Sequence, residues 1–83
     1  MLQSEVKKGQ RVVRSKGDYV VGRVGAIVEI DTEKQRAQVQ WDGETKTWVA
    51  FASMELESKP YRIEAGSYNP KTGRVTYPKY VAL

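Results

Sequence analysis

The segment VGAIVEIDTEKQRAQVQWDGETKTWVAF, residues 24–51, decides the fold, because three short runs rich in apolar residues are separated by two polar turns. Within RAQVQW, residues 36–41, polar side chains alternate with Ala37, Val39 and Trp41, the period of two expected for a strand with one buried face. The Asp-Gly pair that follows supplies the positive φ angle that a tight hairpin needs. The segment therefore predicts three consecutive strands in a meander.

The flanking residues extend this pattern in both directions. RVVRS, residues 11–15, is predicted as the first strand, and KTWVAF, residues 46–51, as the fourth. ASMEL, residues 52–56, is predicted as a short helical turn. Gly25 opens the second strand, where a side chain would obstruct a tightly curved sheet, so we interpret this glycine as structural. The residues predicted to fill the interior are β-branched: Val12, Val28, Ile30, Val39 and Val49.

The two tryptophans receive different predictions. Trp41 has the same parity as Val39, which places it in the core. Trp48 falls on the opposite face from Val49, where it can pack as a second-face residue under the C-terminal segment or stay exposed as a stacking surface. We favour packing, since large aromatic side chains are usually buried for most of their area.

The C-terminal residues 61–83 predict a β-hairpin. Asn-Pro-Lys-Thr-Gly at residues 69–73 places a proline at the turn entry and a glycine at its left-handed position, which closes a loop over Pro70–Gly73. This closure pairs Tyr68 with Val75 and puts Tyr77 on the same face. That aromatic face is expected to pack against the rest of the protein.

The order of a long first loop, three meander strands and a single turn predicts an all-β fold, a small SH3-like five-stranded barrel with an additional C-terminal β-hairpin. Residues 1–60 form the barrel and residues 61–83 a hairpin packed on the same domain. The chain contains, in order, KKGQRVVRS, the glycine before AIVEID, DTEKQR, QVQW and FASMEL. With this combination the stretch from Gly9 to Leu56 resembles a KOW domain of the type found in NusG elongation factors and some ribosomal proteins, and Tudor-like domains share its glycine spacing.

Composition excludes several classes of function. The chain of 83 residues contains no cysteine and no histidine, so thiolate metal sites and histidine-dependent catalysis are absent. The carboxylates fall in predicted turns and form no pair suited to acid and base chemistry. We therefore expect a non-enzymatic protein without a metal, a cofactor or a small-molecule substrate. No apolar run suggests a membrane partner or a signal peptide, so a cytoplasmic location is expected.

Charge is distributed unevenly along the chain. Fourteen Lys and Arg face ten Asp and Glu, for a net charge of +4. Residues 1–28 and 58–83 each carry an excess of four positive charges, whereas residues 29–57 carry an excess of four negative charges. If the fold brings the two ends together, they form one positive face that favours polyanions. A solvated surface of mixed charge remains an alternative.

The best candidate site is the first loop, RSKGDYVVGR, because it combines mobile glycines, positive charge and an aromatic ring, as surfaces that bind single-stranded nucleic acids do. It also resembles the ligand-facing loop of KOW domains. The predicted nucleic-acid-binding residues lie there and on the hairpin: Arg14, Lys16, Tyr19, Arg23, Arg62, Lys71 and Arg74. In an alternative interpretation of the loop, Tyr19 and Val20 only cap the core. The alternative function is protein–protein interaction or self-association through a strand edge or the hairpin.

Overall fold

The computed structural model describes residues 1–83 and consists of β-strands joined by turns and three single 3₁₀ turns. Nine strands follow one another along the chain, and five of them form one antiparallel sheet in the order β4-β3-β2-β1-β5. Two further pairs, β6 with β9 and β7 with β8, form separate two-stranded sheets. The strands are β1 (Arg11–Arg14), β2 (Val24–Asp31), β3 (Arg36–Trp41), β4 (Lys46–Ala50), β5 (Met54–Leu56), β6 (Tyr61–Glu64), β7 (Ser67–Asn69), β8 (Arg74–Thr76) and β9 (Lys79–Ala82).

The all-β prediction and the central meander are confirmed. The Asp-Gly turn joins β3 to β4, with Gly43 at a φ of 71°. Gly25 lies opposite Trp41 at the start of β2. A Cβ atom added to Gly25 would lie 2.9 Å from the Trp41 Cα and 2.5 Å from the Gln40 carbonyl oxygen, distances that real side chains do not show. The structural interpretation of Gly25 therefore holds.

A bulge in β2 changes which residues face the core. Ile27 pairs with Val39, but the next register pair is Glu29 with Gln38, so Val28 is the extra residue. The prediction that Val28 fills the interior is wrong, because strict alternation was assumed through the bulge. Ile27 is buried in its place, and Ile30, after the shift, packs against the core from its edge.

The ASMEL segment differs from the predicted helical turn. Phe51–Ser53 forms a single 3₁₀ turn, and Met54–Leu56 continues as strand β5. This strand pairs with β1, with Met54 opposite Arg14 and Leu56 opposite Val12. A pairing partner some 40 positions earlier in the chain leaves no local signal, which is why the sequence pattern did not show it.

The core lies on one face of the five-stranded sheet. Its buried residues come from all five strands and the 3₁₀ turn after β4: Val12, Ile27, Ala37, Val39, Trp41, Val49, Phe51 and Met54. Trp41 is buried as predicted. Trp48 is 42% exposed and lies beneath the Arg36 guanidinium, whose carbon is 4.8 Å from the ring centroid, so the prediction that it packs under the C-terminal segment is wrong.

The C-terminal hairpin has the predicted register at its tip and a second strand pair at its base. Tyr68 pairs with Val75, and Gly73 takes a φ of 71° in the closing loop. At the base, β6 pairs with β9, and the rings of Tyr61 and Tyr80 stack with centroids 5.3 Å apart. Burial, followed by the nearby charge of Glu55, raises the pKa of the Tyr80 phenol. The base of the hairpin thus lies against the main sheet.

The tip of the hairpin does not pack, and this corrects the prediction for its aromatic face. Every residue from Glu64 to Tyr77 is exposed. Tyr68 is 65% exposed, Val75 52% and Tyr77 48%. We refer to residues 65–77 as the arm. The molecule measures 45 × 27 × 24 Å, an elongated shape for 83 residues.

Candidate nucleic-acid interface

The first loop is closed at its base by the two arginines predicted as ligands. Arg14 ends β1, and its N–H donates to the Arg23 carbonyl at 2.8 Å, while the Gly22 N–H donates to the Arg14 carbonyl at 2.9 Å. Between them, Gly17 at a φ of 119° and Gly22 at a φ of 96° take the left-handed backbone conformations that this tight loop requires. The loop therefore holds Arg14 and Arg23 side by side at its mouth.

A small cleft opens between this loop and the β3–β4 hairpin. Its volume is about 160 Å³, and Arg14, Val20 and Arg23 line one wall. The other wall is formed by residues of the hairpin: Trp41, Glu44, Thr45 and Thr47. The Trp41 indole N–H donates to the Thr47 hydroxyl oxygen at 2.7 Å, which leaves the hydroxyl proton of Thr47 free to point into the cleft.

Arg14 is the only arginine of the protein that is both partly buried and without an anionic partner. Its Nε donates to the Lys16 carbonyl at 2.8 Å, and this is the only hydrogen bond of the guanidinium. Burial, and then the charge of Arg23, lower the pKa of the Arg14 guanidinium, although it stays protonated at neutral pH. An anion between the two arginines would offset both the desolvation of Arg14 and its repulsion by Arg23.

Arg23 already has a partner in the cleft. Its guanidinium forms an ion pair with the Glu44 carboxylate, and both side chains are partly exposed. An anion that entered the cleft would compete with Glu44 for Arg23 and would meet no competitor at Arg14. The cleft carries two positive charges and one negative charge, which suits a single phosphate group.

Lys16 and Tyr19 lie on the outside of the same loop. Tyr19 is 72% exposed, at the centre of a 3₁₀ turn that runs from Asp18 to Val20. Its ring does not cap the core, so the alternative interpretation of Tyr19 is wrong. Lys16 is exposed and forms no ion pair. The loop thus presents a free aromatic ring and a free cation beside the Arg14 cleft.

The remaining three predicted residues lie on the hairpin and form a second group. Arg62 sits on β6 and forms an ion pair with Glu64 at 3.2 Å. The side chain of its neighbour Ile63 lies against Gly22, so β6 passes beside the first loop. Lys71 and Arg74 lie at the arm tip, away from any carboxylate. The structure places the seven predicted residues in a loop group and an arm group, with Arg62 between them.

Ion pairs between segments of opposite charge neutralise part of the uneven charge of the sequence. Arg11 binds both Asp42 and Glu57, and Lys8 binds Glu29, so carboxylates of the acidic middle segment neutralise part of the N-terminal positive charge. Eight of the ten carboxylates are paired, all except Asp18 and Glu33. The cations left without a carboxylate are Lys7, Arg14, Lys16, Lys34, Lys46, Lys71, Arg74 and Lys79. Uncompensated charge on this protein is therefore mainly positive.

The hairpin side of the cleft has no signal in the sequence. Glu44, Thr45 and Thr47 have no motif of their own, and they reach Arg14 only because β3 and β4 fold back beside the first loop. No cluster of three or more acidic side chains is placed to hold a metal ion. None of the helical turns has the length or apolar character to span a bilayer.

Comparison of the chain with protein-family models, curated proteins and solved structures gave no match. The KOW resemblance therefore stays a prediction drawn from the sequence pattern, and the geometry of the cleft and the arm carries the functional argument.

Proposed function

We propose that this protein is a non-enzymatic nucleic-acid-binding module with an SH3-like barrel, and that it holds a backbone phosphate of RNA or DNA in the Arg14 cleft. The observation that carries the proposal is the guanidinium of Arg14, which is partly buried, next to Arg23 and without a carboxylate. Evolved proteins seldom leave such a charge uncompensated in a cleft unless a ligand supplies the counter-charge.

Two neighbouring features support a polymer as the ligand. The exposed ring of Tyr19 offers a stacking surface for an unpaired base within the same loop. Lys16, exposed and unpaired on the same loop, would add a weak, salt-dependent contact to a neighbouring phosphate. A free phosphate or a small anion would use neither feature.

The experiment is a fluorescence anisotropy titration with labelled single-stranded RNA, single-stranded DNA and duplex DNA at several salt concentrations. We expect binding that weakens steeply between about 50 and about 200 mM salt, since counterions are released from the polymer. Arg14→Ala should lower affinity for every polymer about tenfold, and Arg14→Lys by less. Lys34→Ala removes an exposed, unpaired lysine and serves as the matched control. Salt-insensitive or undetectable binding to all three polymers would refute the proposal.

A second candidate function, assembly through a strand edge, is favoured by the free edge of β4. The Phe51 N–H donates to the Gln35 carbonyl, so alternation turns the backbone groups of Val49 and Thr47 toward β3 and those of Ala50, Trp48 and Lys46 away from it. These outward groups form no backbone hydrogen bond and can pair with a strand from another chain.

Ala50→Pro tests the assembly function with little cost to the fold. Ala50 has a φ of −62°, which proline adopts, and its N–H points away from the sheet. If the β4 edge mediates self-association, sedimentation velocity should show a concentration-dependent oligomer in the unchanged protein and a monomer in Ala50→Pro. A monomer at all concentrations in both proteins would exclude self-association through this edge.

A further inference from the structure

We propose that the arm, residues 65–77, inserts into the major groove of double-stranded DNA and contacts base edges with its polar face. This inference rests on the proposed nucleic-acid binding and adds a second site, separate from the Arg14 cleft, with its own substrate class. Three properties of the arm lead to it: its isolation, its charge and the composition of its two faces.

The arm is isolated from the rest of the protein. β7 and β8 are exposed on both faces along their whole length. A two-stranded ribbon gains little stability by itself in water, and this one also exposes three large side chains, Tyr68, Val75 and Tyr77. The ribbon is nevertheless well specified at its tip. The Lys71 N–H donates to the Asn69 side-chain oxygen at 3.0 Å, and the Gly73 N–H donates to the Asn69 carbonyl at 2.8 Å.

Charge on the arm selects an anionic partner. No Asp or Glu occurs from residue 65 to residue 83, whereas Lys71, Arg74 and Lys79 lie within that range. None of the three forms an ion pair, in contrast to the N-terminal cations Lys8 and Arg11. A neutral apolar partner would leave Lys71 and Arg74 without counter-charges, and a polyphosphate would supply them.

The two faces of the arm differ in composition. Tyr68, Val75 and Tyr77 share one face, because Tyr68 lies directly opposite Val75. The other face is entirely polar and consists of Ser67, Asn69, Arg74 and Thr76. Arginine pairs with guanine, and serine or threonine with either purine or pyrimidine edges in direct readout. The Asn69 side-chain oxygen already accepts from the Lys71 N–H and fixes the tip, so Ser67, Arg74 and Thr76 are the side chains suited to bases.

The width of the major groove decides which kind of duplex the arm can enter. The major groove of B-form DNA is about 12 Å wide and admits a two-stranded β-ribbon. The major groove of A-form RNA is deep and too narrow for side chains to read. Single strands have no groove for a ribbon to enter. Duplex DNA is therefore the nucleic acid that fits the arm.

The test compares two double variants that each remove two exposed, unpaired cations. The arm variant is Lys71→Ala with Arg74→Ala, and the matched control is Lys34→Ala with Lys46→Ala. Affinity is measured by anisotropy for a labelled 20-base-pair DNA duplex, for its single strand and for an RNA duplex of the same sequence. All four residues are exposed, so circular dichroism and thermal melting should be unchanged in both variants.

We expect the arm variant to lose about tenfold or more of its affinity for duplex DNA, since one base contact and one phosphate contact are removed. Affinity for the single strand should change less than threefold, as should all affinities of the control. Dimethyl sulfate, which modifies guanine N7 in the major groove, should show protection by the unchanged protein and loss of protection with the arm variant. Netropsin, which occupies the minor groove, should not compete.

Other outcomes separate the two proposals. If Arg14→Ala abolishes binding to every polymer while the arm variant binds duplex DNA normally, the arm proposal is overturned and the cleft proposal stands. Equal loss for all three polymers, or competition by netropsin, would also overturn major-groove insertion. Absence of binding to any polymer overturns both proposals and favours a protein partner for the arm.

Discussion

The five-stranded sheet and the arm are built from the same kind of unit, an antiparallel strand pair closed by a turn with a left-handed glycine. Gly43 closes β3 and β4, and Gly73 closes the loop between β7 and β8. The sheet buries its core side chains on one face, with Val39 fully inaccessible, while the arm leaves Val75 more than half exposed. Turn chemistry alone specifies how strands pair, and only packing against other strands converts that pairing into stability.

Gly25→Ala in the sheet and Gly66→Ala in the arm should differ most in their effect on the free energy of unfolding. A Cβ at Gly25 would collide with backbone atoms of Gln40 and Trp41 in the middle of the sheet. We expect Gly25→Ala to lower the free energy of unfolding by about 3 kcal/mol, at the upper end for overpacking. A Cβ at Gly66 would lie 3.1 Å from the Pro78 nitrogen and closer still to the Thr76 carbonyl oxygen, where the arm joins its base.

Gly66→Ala should therefore distort the arm while urea denaturation, followed by the fluorescence of buried Trp41, stays within about 0.5 kcal/mol of the unchanged protein. Chemical shifts of residues 65–77 should move and those of β2 and β3 should not. A loss of global stability equal to that of Gly25→Ala would mean that the arm is part of the cooperative core.

Val39→Ala and Val75→Ala make the same chemical change in the two regions. Val39 has no exposed surface and sits among core side chains, so removal of two methyl groups should cost about 2 kcal/mol from lost transfer energy and a residual cavity. Val75 is 52% exposed, and its truncation should stay within about 0.5 kcal/mol. Chemical denaturation of both variants measures the difference, and equal costs would contradict the isolation of the arm.

Thr47→Val tests the hydrogen bond that joins the core to the cleft. The change leaves the Trp41 indole N–H without its acceptor at a part-buried position beside the cleft, for an expected cost of about 1 kcal/mol. Thr45→Val alters a threonine of the same cleft whose side chain makes no hydrogen bond within the protein, so it should be nearly neutral. The two melting temperatures, compared at one pH, give the result.

Low pH should lower the stability of the five-stranded sheet and leave the arm unaffected. Hydrogen bonds from Arg11 lower the pKa of Asp42, a hydrogen bond from Lys8 lowers that of Glu29, and the Leu2 backbone N–H followed by Lys59 lowers that of Glu5. A depressed pKa in the folded state means that these groups stabilise the fold above their ordinary pKa, near 4, and that this stabilisation disappears as the pH falls below it.

We therefore expect the melting temperature to fall between about pH 4 and about pH 2, and to fall less for Asp42→Asn, which lacks one of the three groups. The arm contains no carboxylate, so its amide chemical shifts should not titrate in that range. Pronounced titration of the arm amides would indicate contact with acidic groups of the sheet.

Much of the fold follows from local sequence patterns. The elements that differ from the prediction depend on contacts between residues distant in sequence. The meander of β2–β4 and the register of Tyr68 with Val75 are set by alternation and by turns that only certain residues form. Strand β5 depends on pairing with β1, and the bulge at Val28 depends on the register against β3, so neither has a local signal.

The candidate site was predicted in part for the same reason. Arg14 and Arg23 belong to one loop whose glycines and charge are visible in the sequence, whereas Thr45 and Thr47 join it through the fold. The aromatic face of the arm was located correctly, but alternation only assigns residues to a face. It does not show whether that face is covered.

The tight passage at Gly66 and Pro78 has a consequence for how this protein can diversify. Residues beyond that point contribute no side chain to the core, so mutations there escape the stability filter that restricts the sheet. A lineage can change Ser67, Arg74 or Thr76 one at a time without endangering folding. The surface chemistry of the tip is thereby free to evolve at a rate independent of the scaffold that carries it.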